Sequence, residues 1–170
     1  MIGLKVLYLD FDGVLHPESV VCTRRHGIRL DGHPSRALFE NAPYLIEALA
    51  PYPDVNIVLS TSWVRARGYQ FALQQLPAPL QRRCIGATYH SRWHRPRRDE
   101  GFRDVYPVPL RGEEVRADVH RRMPVRWLAF DDTDEGWAPF DEHVLLTDPV
   151  EGIGSGVVLE LLRVKLLRFQ

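Results

Sequence analysis

Asp10-Phe11-Asp12-Gly13 places two acids one residue apart at the end of Leu4–Leu9, an apolar run broken only by Lys5. Two carboxylates so close, beside a buried segment, repel one another and resist ionisation unless a cation or a charged reaction partner joins them. Mg2+ is the natural partner, because it prefers hard oxygen ligands and commonly shares them with a substrate phosphate. Gly13 lets the chain turn sharply away and leaves Asp12 over the site. Asp131-Asp132 repeat the theme after Trp127–Phe130. Taken alone, each pair has an ordinary use in a turn or at a helix cap. Taken together, Asp10, Asp12, Asp131 and Asp132 supply the oxygens of a divalent-metal site, and the metal offsets their repulsion.

These acids need a frame that brings distant segments to one edge. Leu4–Leu9 and Val55–Leu59 have the continuous apolar character of strands buried on both faces. Arg83–Ala87, Trp127–Phe130 and His143–Thr147 read as three further strands. Between them, Ser35 can cap a helix with apolar positions at Leu38, Phe39, Leu45, Ile46 and Leu49, and Pro43 can restart it. Trp63–Leu76 and Arg111–Met123 are expected to be helical, and Val157–Phe169 reads as a packing helix. Residues 13–34 read as a loop or short hairpin projecting over the strand ends, and 88–110 as a long polar loop. Five alternations of strand and helix predict an α/β fold with a mostly parallel sheet and helices on both faces. In such sheets, sites form beyond the carboxyl ends of the strands. Here those ends are Asp10, Ser60, Asp131 and Asp148, four oxygen-bearing side chains delivered to one edge.

Bulk properties narrow the field. At 170 residues and 45% hydrophobic, the chain suits a single domain over 1–170 with a basic loop insertion at about 88–110. Basic and acidic residues balance at 22 each, so net charge selects no acidic partner, but the cations are nearly all arginine, suited to planar contacts with carboxylates or phosphates. Cys22 and Cys84 are too few for a disulfide scaffold and form no CxxC pair. A cysteine phosphatase is disfavoured, because no arginine follows Cys84 until Arg92. The N-terminal residues lack a signal-peptide pattern, and no apolar run approaches ~18 residues. Neither secretion nor a membrane span is expected, and the cytoplasm is the default location.

LYLDFDGVLH closely resembles the first motif of the haloacid-dehalogenase-like (HAD) superfamily. The resemblance implies a Rossmann-like, five-stranded sheet without a large cap domain, and Mg2+-dependent phosphoryl transfer. By that match Asp10 is the nucleophile and a metal ligand, and Asp12 is the general acid and then the base for water. Ser60 in VLSTSW matches the second motif and would bind the transferring phosphoryl group, with Thr61 as the alternative register. Arg111 is the best match to the third-motif cation, with Arg116 second. WLAFDD matches the fourth motif, giving Asp131 and Asp132 to the metal. An aspartate two residues after the nucleophile is the pattern of phosphatases and phosphotransferases rather than dehalogenases. LSTSW, Trp127–Asp132 and LLTDP are most similar to the HAD domain of Swiss Army Knife RNA repair proteins, which implies RNA or DNA ends as a possible substrate class. Asp148 and Trp137 belong to the resemblance without an assigned role, and Asp148 can equally close a turn before Pro149.

Seven arginines lie between Arg82 and Arg103, interleaved with His90, Trp93, His94 and Phe102. Such a segment can hold a sugar-phosphate backbone and stack a base, or simply be a solvated loop. Arg92, Arg95 and Arg97, with Arg65 beyond Ser60, are the candidate substrate contacts; Arg67 is a further phosphate grip. His16 suits either a substrate contact or a polar turn, and Trp63 suits packing. The expected activity is therefore a phosphomonoesterase acting on a phosphate ester, with a metabolite phosphatase and a noncatalytic binding module as alternatives.

Overall fold

The computed structural model describes residues 3–90 and 109–170. Among them a five-stranded sheet runs in the order β5-β4-β1-β6-β7, with every neighbouring pair parallel. Its strands are β1 (Lys5–Leu9), β4 (Val55–Leu59), β5 (Cys84–Ala87), β6 (Arg126–Asp131) and β7 (Val144–Leu146). A separate antiparallel hairpin, β2 (Val20–Thr23) and β3 (Gly27–Leu30), follows the first acidic turn. The fold is α/β and Rossmann-like, and no large cap is evident among the described residues. No described helix is long and apolar enough to cross a membrane.

Alternation along the strands divides the apolar side chains between two faces. Leu7, Leu9, Ile57, Leu59, Leu128 and Phe130 join the larger core, which is completed by α1 (Ala42–Leu49), α2 (Ser62–Arg67) and α6 (Gly156–Leu166). Val6, Tyr8, Val58 and Ala129 form the smaller core with Val115 of α5 (Arg111–Arg122). Burial of each large aliphatic side chain stabilises the sheet by roughly 1.5–3 kcal/mol. That is enough to keep the central strands rigid under the site they carry.

Two helical expectations change in detail. The segment after Ser35 is not helical until Ala42, because Phe39 has φ +60° and interrupts any right-handed run. Pro43 sits in the first turn of α1, where its missing N–H costs nothing. The expected Trp63–Leu76 helix breaks at Gly68, whose φ of +93° separates α2 from α3 (Tyr69–Gln75). A further short helix, α4 (Ala78–Gln81), carries Pro79 in its first turn.

Register sets up the chemistry. Leu9 pairs with Leu59 on one side and Phe130 on the other. Continuing by one residue brings Asp10, Ser60 and Asp131 level across the three central strands. The Asp10 amide donates to the Phe130 carbonyl at 3.2 Å, and the Ser60 amide donates to Leu9 at 2.9 Å.

Candidate active site

Arg111, the first residue of α5, reaches across this row. Its Nη2 lies 3.3 Å from Asp10 Oδ2, its Nε lies 3.3 Å from Asp131 Oδ2, and its Nη1 donates to the Ser60 carbonyl. Gly112 lets the start of the helix pack against the turn at Gly136, whose carbonyl a Cβ there would strike. One guanidinium thus connects three strand ends. Asp10 is 4% and Asp131 1% exposed, so this cation meets both carboxylates away from bulk water. Burial pushes both acids upward from the ordinary carboxylate range, and neighbouring carboxylates add to the rise: Asp12 and Asp132 at Asp10, and Asp10 and Asp132 at Asp131. Arg111 opposes it, as do the Phe11 amide at Asp10 and the Thr133 amide at Asp131. Burial, with the neighbouring negative charges added to it, outweighs what a single guanidinium offsets.

Asp132 completes an acidic cluster. One carboxylate oxygen from each of Asp10, Asp131 and Asp132 lies within 4.8 Å of the others. Asp131 Oδ2 is buried without an aligned hydrogen-bond donor, despite its proximity to Arg111 Nε. An all-oxygen donor set, under-compensated charge and an orphaned buried acceptor fit a hard divalent cation. Gly13, at φ +67°, is necessary here: a Cβ would occupy the space of the Asp132 carboxylate. Thr147 Oγ1 donates to the Gly13 carbonyl at 2.7 Å and fixes the turn to the end of β7.

Asp12 stands apart from the three clustered acids. Trp63 Nε1 donates to both its oxygens, at 3.0 and 3.1 Å, and His16 Nε2 lies 3.0 Å from Oδ1. Asp12 also lines a cleft of about 210 Å³ between the hairpin and α2, walled by Val20, Ile28, Trp63 and Ala66. Its carboxylate faces the indole and imidazole, beside that cleft.

Residues 6–157 match the model of a family described as the HAD domain in Swiss Army Knife RNA repair proteins. The chain belongs to that family. Comparisons with curated proteins and with solved structures return no significant match. Family membership supports a HAD-type phosphohydrolase.

Within this HAD domain, the remaining candidates separate clearly. Ser60 Oγ is buried without a hydrogen-bond partner, whereas Thr61 Oγ1 caps α2 by accepting from the Trp63 amide at 3.4 Å. Arg116 points elsewhere, donating to the Gly136 carbonyl and lying 5.7 Å from the Trp137 ring centre. Arg65 pairs with Glu114 at 3.2 Å and stacks over Tyr89, although it also lines a second cleft with Thr61 and Arg111. Glu114 is buried and accepts from Thr88 Oγ1 at 3.2 Å as well; nothing in its exposed-looking sequence context marked it. Arg67 lies over Phe71 and reaches Cys22 Sγ. Asp148 closes a turn, accepting from the Val150 and Glu151 amides at 2.8 and 2.9 Å. Burial pushes the Cys84 thiol up to about 12, which suits a packed side chain and not a nucleophile. Arg92, Arg95 and Arg97 lie outside the described residues.

Proposed function

We propose that this HAD domain is a Mg2+-dependent phosphomonoesterase that uses Asp10 as nucleophile and acts on polynucleotide phosphate ends. The observation that carries the reading is the Arg111 guanidinium spanning Asp10 and Asp131 while Asp132 closes the acidic cluster. Asp10, Asp131 and Asp132 would hold the metal, which when bound supplies positive charge to the phosphoryl oxygens.

In the first step an Asp10 oxygen forms a bond to phosphorus as the ester P–O bond breaks. Asp12 gives its proton to the departing oxygen. In the second step water attacks the aspartyl-phosphate, Asp12 takes the proton, and the bond to Asp10 breaks to release phosphate. Arg111 orients Asp10 throughout and meets the charge that builds on the transferring group. Ser60 has an unengaged hydroxyl at the same level and offers it to a phosphoryl oxygen. Thr61 lends its side chain to the helix cap, so Ser60 is the better of the two registers.

The polynucleotide substrate rests on the family's description and on the arginine-rich stretch in the sequence. The small hairpin above the strand ends also suits a chain terminus better than an enclosed metabolite. The test is Mg2+-dependent phosphate release from matched 5′- and 3′-phosphorylated RNA and DNA oligonucleotides, mononucleotides and a small generic ester, beside Asp10→Asn. Oligonucleotide-selective release abolished by the substitution is expected. Preference for a small ester overturns the substrate assignment, and activity surviving in Asp10→Asn overturns the nucleophile.

A further inference from the structure

We propose that His16 and Trp63 are positioning residues that hold the Asp12 carboxylate toward the leaving-group oxygen; this rests on the role given to Asp12 above. Trp63 places one N–H across both carboxylate oxygens, and His16 supplies a second partner on Oδ1. An indole nitrogen is a donor only, so this contact has one polarity. The imidazole is polarised by its other side: the Phe39 amide donates to His16 Nδ1 at 3.2 Å. With Nδ1 accepting, the ring proton sits on Nε2 and points at Asp12. Two donors from different elements therefore fix the plane and direction of a side chain that is itself 24% exposed.

The support behind these donors is rigid. His16 is fully buried and Trp63 is 6% exposed. Phe39 packs edge-on against His16, Trp63 and Phe11, with ring centres 4.7, 5.6 and 5.2 Å apart. Those contacts hold Phe39 at its positive φ, a conformation that a bulky residue adopts only when its surroundings impose it. The strained turn thereby aims the amide that sets the imidazole tautomer. A lone packing role for Trp63 would leave its N–H direction unconstrained; here the N–H meets the one acid whose task is proton transfer. The open side of Asp12 adjoins the cleft beside α2, which is where the leaving group would sit.

The test uses leaving groups of different demand. The constant kcat/KM covers steps only through departure of the leaving group, so an ester with a poor alkoxide leaving group needs a well-aimed acid, while p-nitrophenyl phosphate needs little help. Trp63→Phe keeps a ring in the core and removes one donor; His16→Leu removes the other. Each is expected to lower kcat/KM for a phosphorylated oligonucleotide end by about tenfold or more, a fraction of what general acid catalysis contributes, and to leave the nitrophenyl ester nearly unchanged. His16→Gln, which restores an N–H, is expected to recover part of the loss. Independently of turnover, the Trp63 indole and His16 Nε2 protons should move in NMR spectra of Asp12→Ala. Protons that do not respond, or equal losses on both esters, overturn the inference alone. A wild-type protein that releases no phosphate from oligonucleotide ends overturns the proposed function, and the inference with it.

Discussion

Asp131→Asn tests whether the acidic cluster is built for a cation. The clustered oxygens lie within 4.8 Å of one another. At an effective dielectric of about 20, each fully ionised pair at that separation repels by roughly 3–4 kcal/mol. Removing the Asp131 charge relieves two such repulsions and forfeits the attraction to Arg111 at 3.3 Å, worth about 5 kcal/mol on the same scale. The metal-free protein should therefore gain about 2 kcal/mol, or roughly 4–8 °C in melting temperature for a chain of this size. The sign depends on pH. Folding raises the Asp10 and Asp131 values above those of the unfolded chain, so the folded state holds their protons more tightly. Stability is then fully present below the ordinary carboxylate range, near pH 4, and declines as pH rises through the raised values. The gain from Asp131→Asn should accordingly be small at pH 5 and grow toward its full value as pH rises through about 8, where Asp131 ionises. Thermal unfolding followed by circular dichroism, in EDTA and in Mg2+, checks both parts. Saturating Mg2+ at a hundred times its dissociation constant should add about 2.7 kcal/mol to the wild type and much less to the variant. If the variant melts lower than wild type in EDTA at pH 8 and answers Mg2+ equally well, the charge-strain reasoning is wrong.

Gly13→Ala should displace the Asp132 carboxylate and weaken Mg2+ binding by at least tenfold, measured by titration calorimetry, while the far-UV spectrum stays native. Arg111→Ala should lower kcat by about a hundredfold or more, as loss of a charge-stabilising donor commonly does; Arg116→Ala, whose side chain sits by Gly136 and Trp137, should stay near wild-type rates. Tyr8→Phe removes a 3.0 Å hydrogen bond to buried Asp118, which keeps Arg121 and Arg122, and should cost about 1 kcal/mol in urea unfolding without changing turnover.

The central sheet was legible because its strands are apolar runs that end in oxygen-bearing residues. Val55–Leu59 and the Trp127–Phe130 segment needed only that pattern, and the parallel order follows from the intervening helices. The helix boundaries were less legible. Nothing in the local composition around Ser35 announces the positive φ at Phe39, whose ring packs against those of Phe11, His16 and Trp63. Gly68 did carry a signal, since a glycine inside a helical pattern often marks a break. The Trp63 partner of Asp12 and the burial of Glu114 belong to tertiary structure alone. Trp63 lies 51 positions from Asp12, and Arg65 lies 49 from Glu114, separations at which periodicity conveys nothing. Packing correctly suggested a buried Trp63, but not the direction of its N–H.

The central place of β1 has a consequence for biosynthesis. Both edges of this strand are covered only when β4 and β6 have joined it, and β6 is made about 120 residues later. At ribosomal speeds of about 5–20 residues per second, that interval is on the order of 6–24 s. During it, a strand destined for the centre of the sheet has at least one unpaired edge, open to association with other chains. Slow segments of the message between β4 and β6 would lengthen that exposure, so soluble yield should respond to translation rate and to chaperone supply even where the finished protein is equally stable.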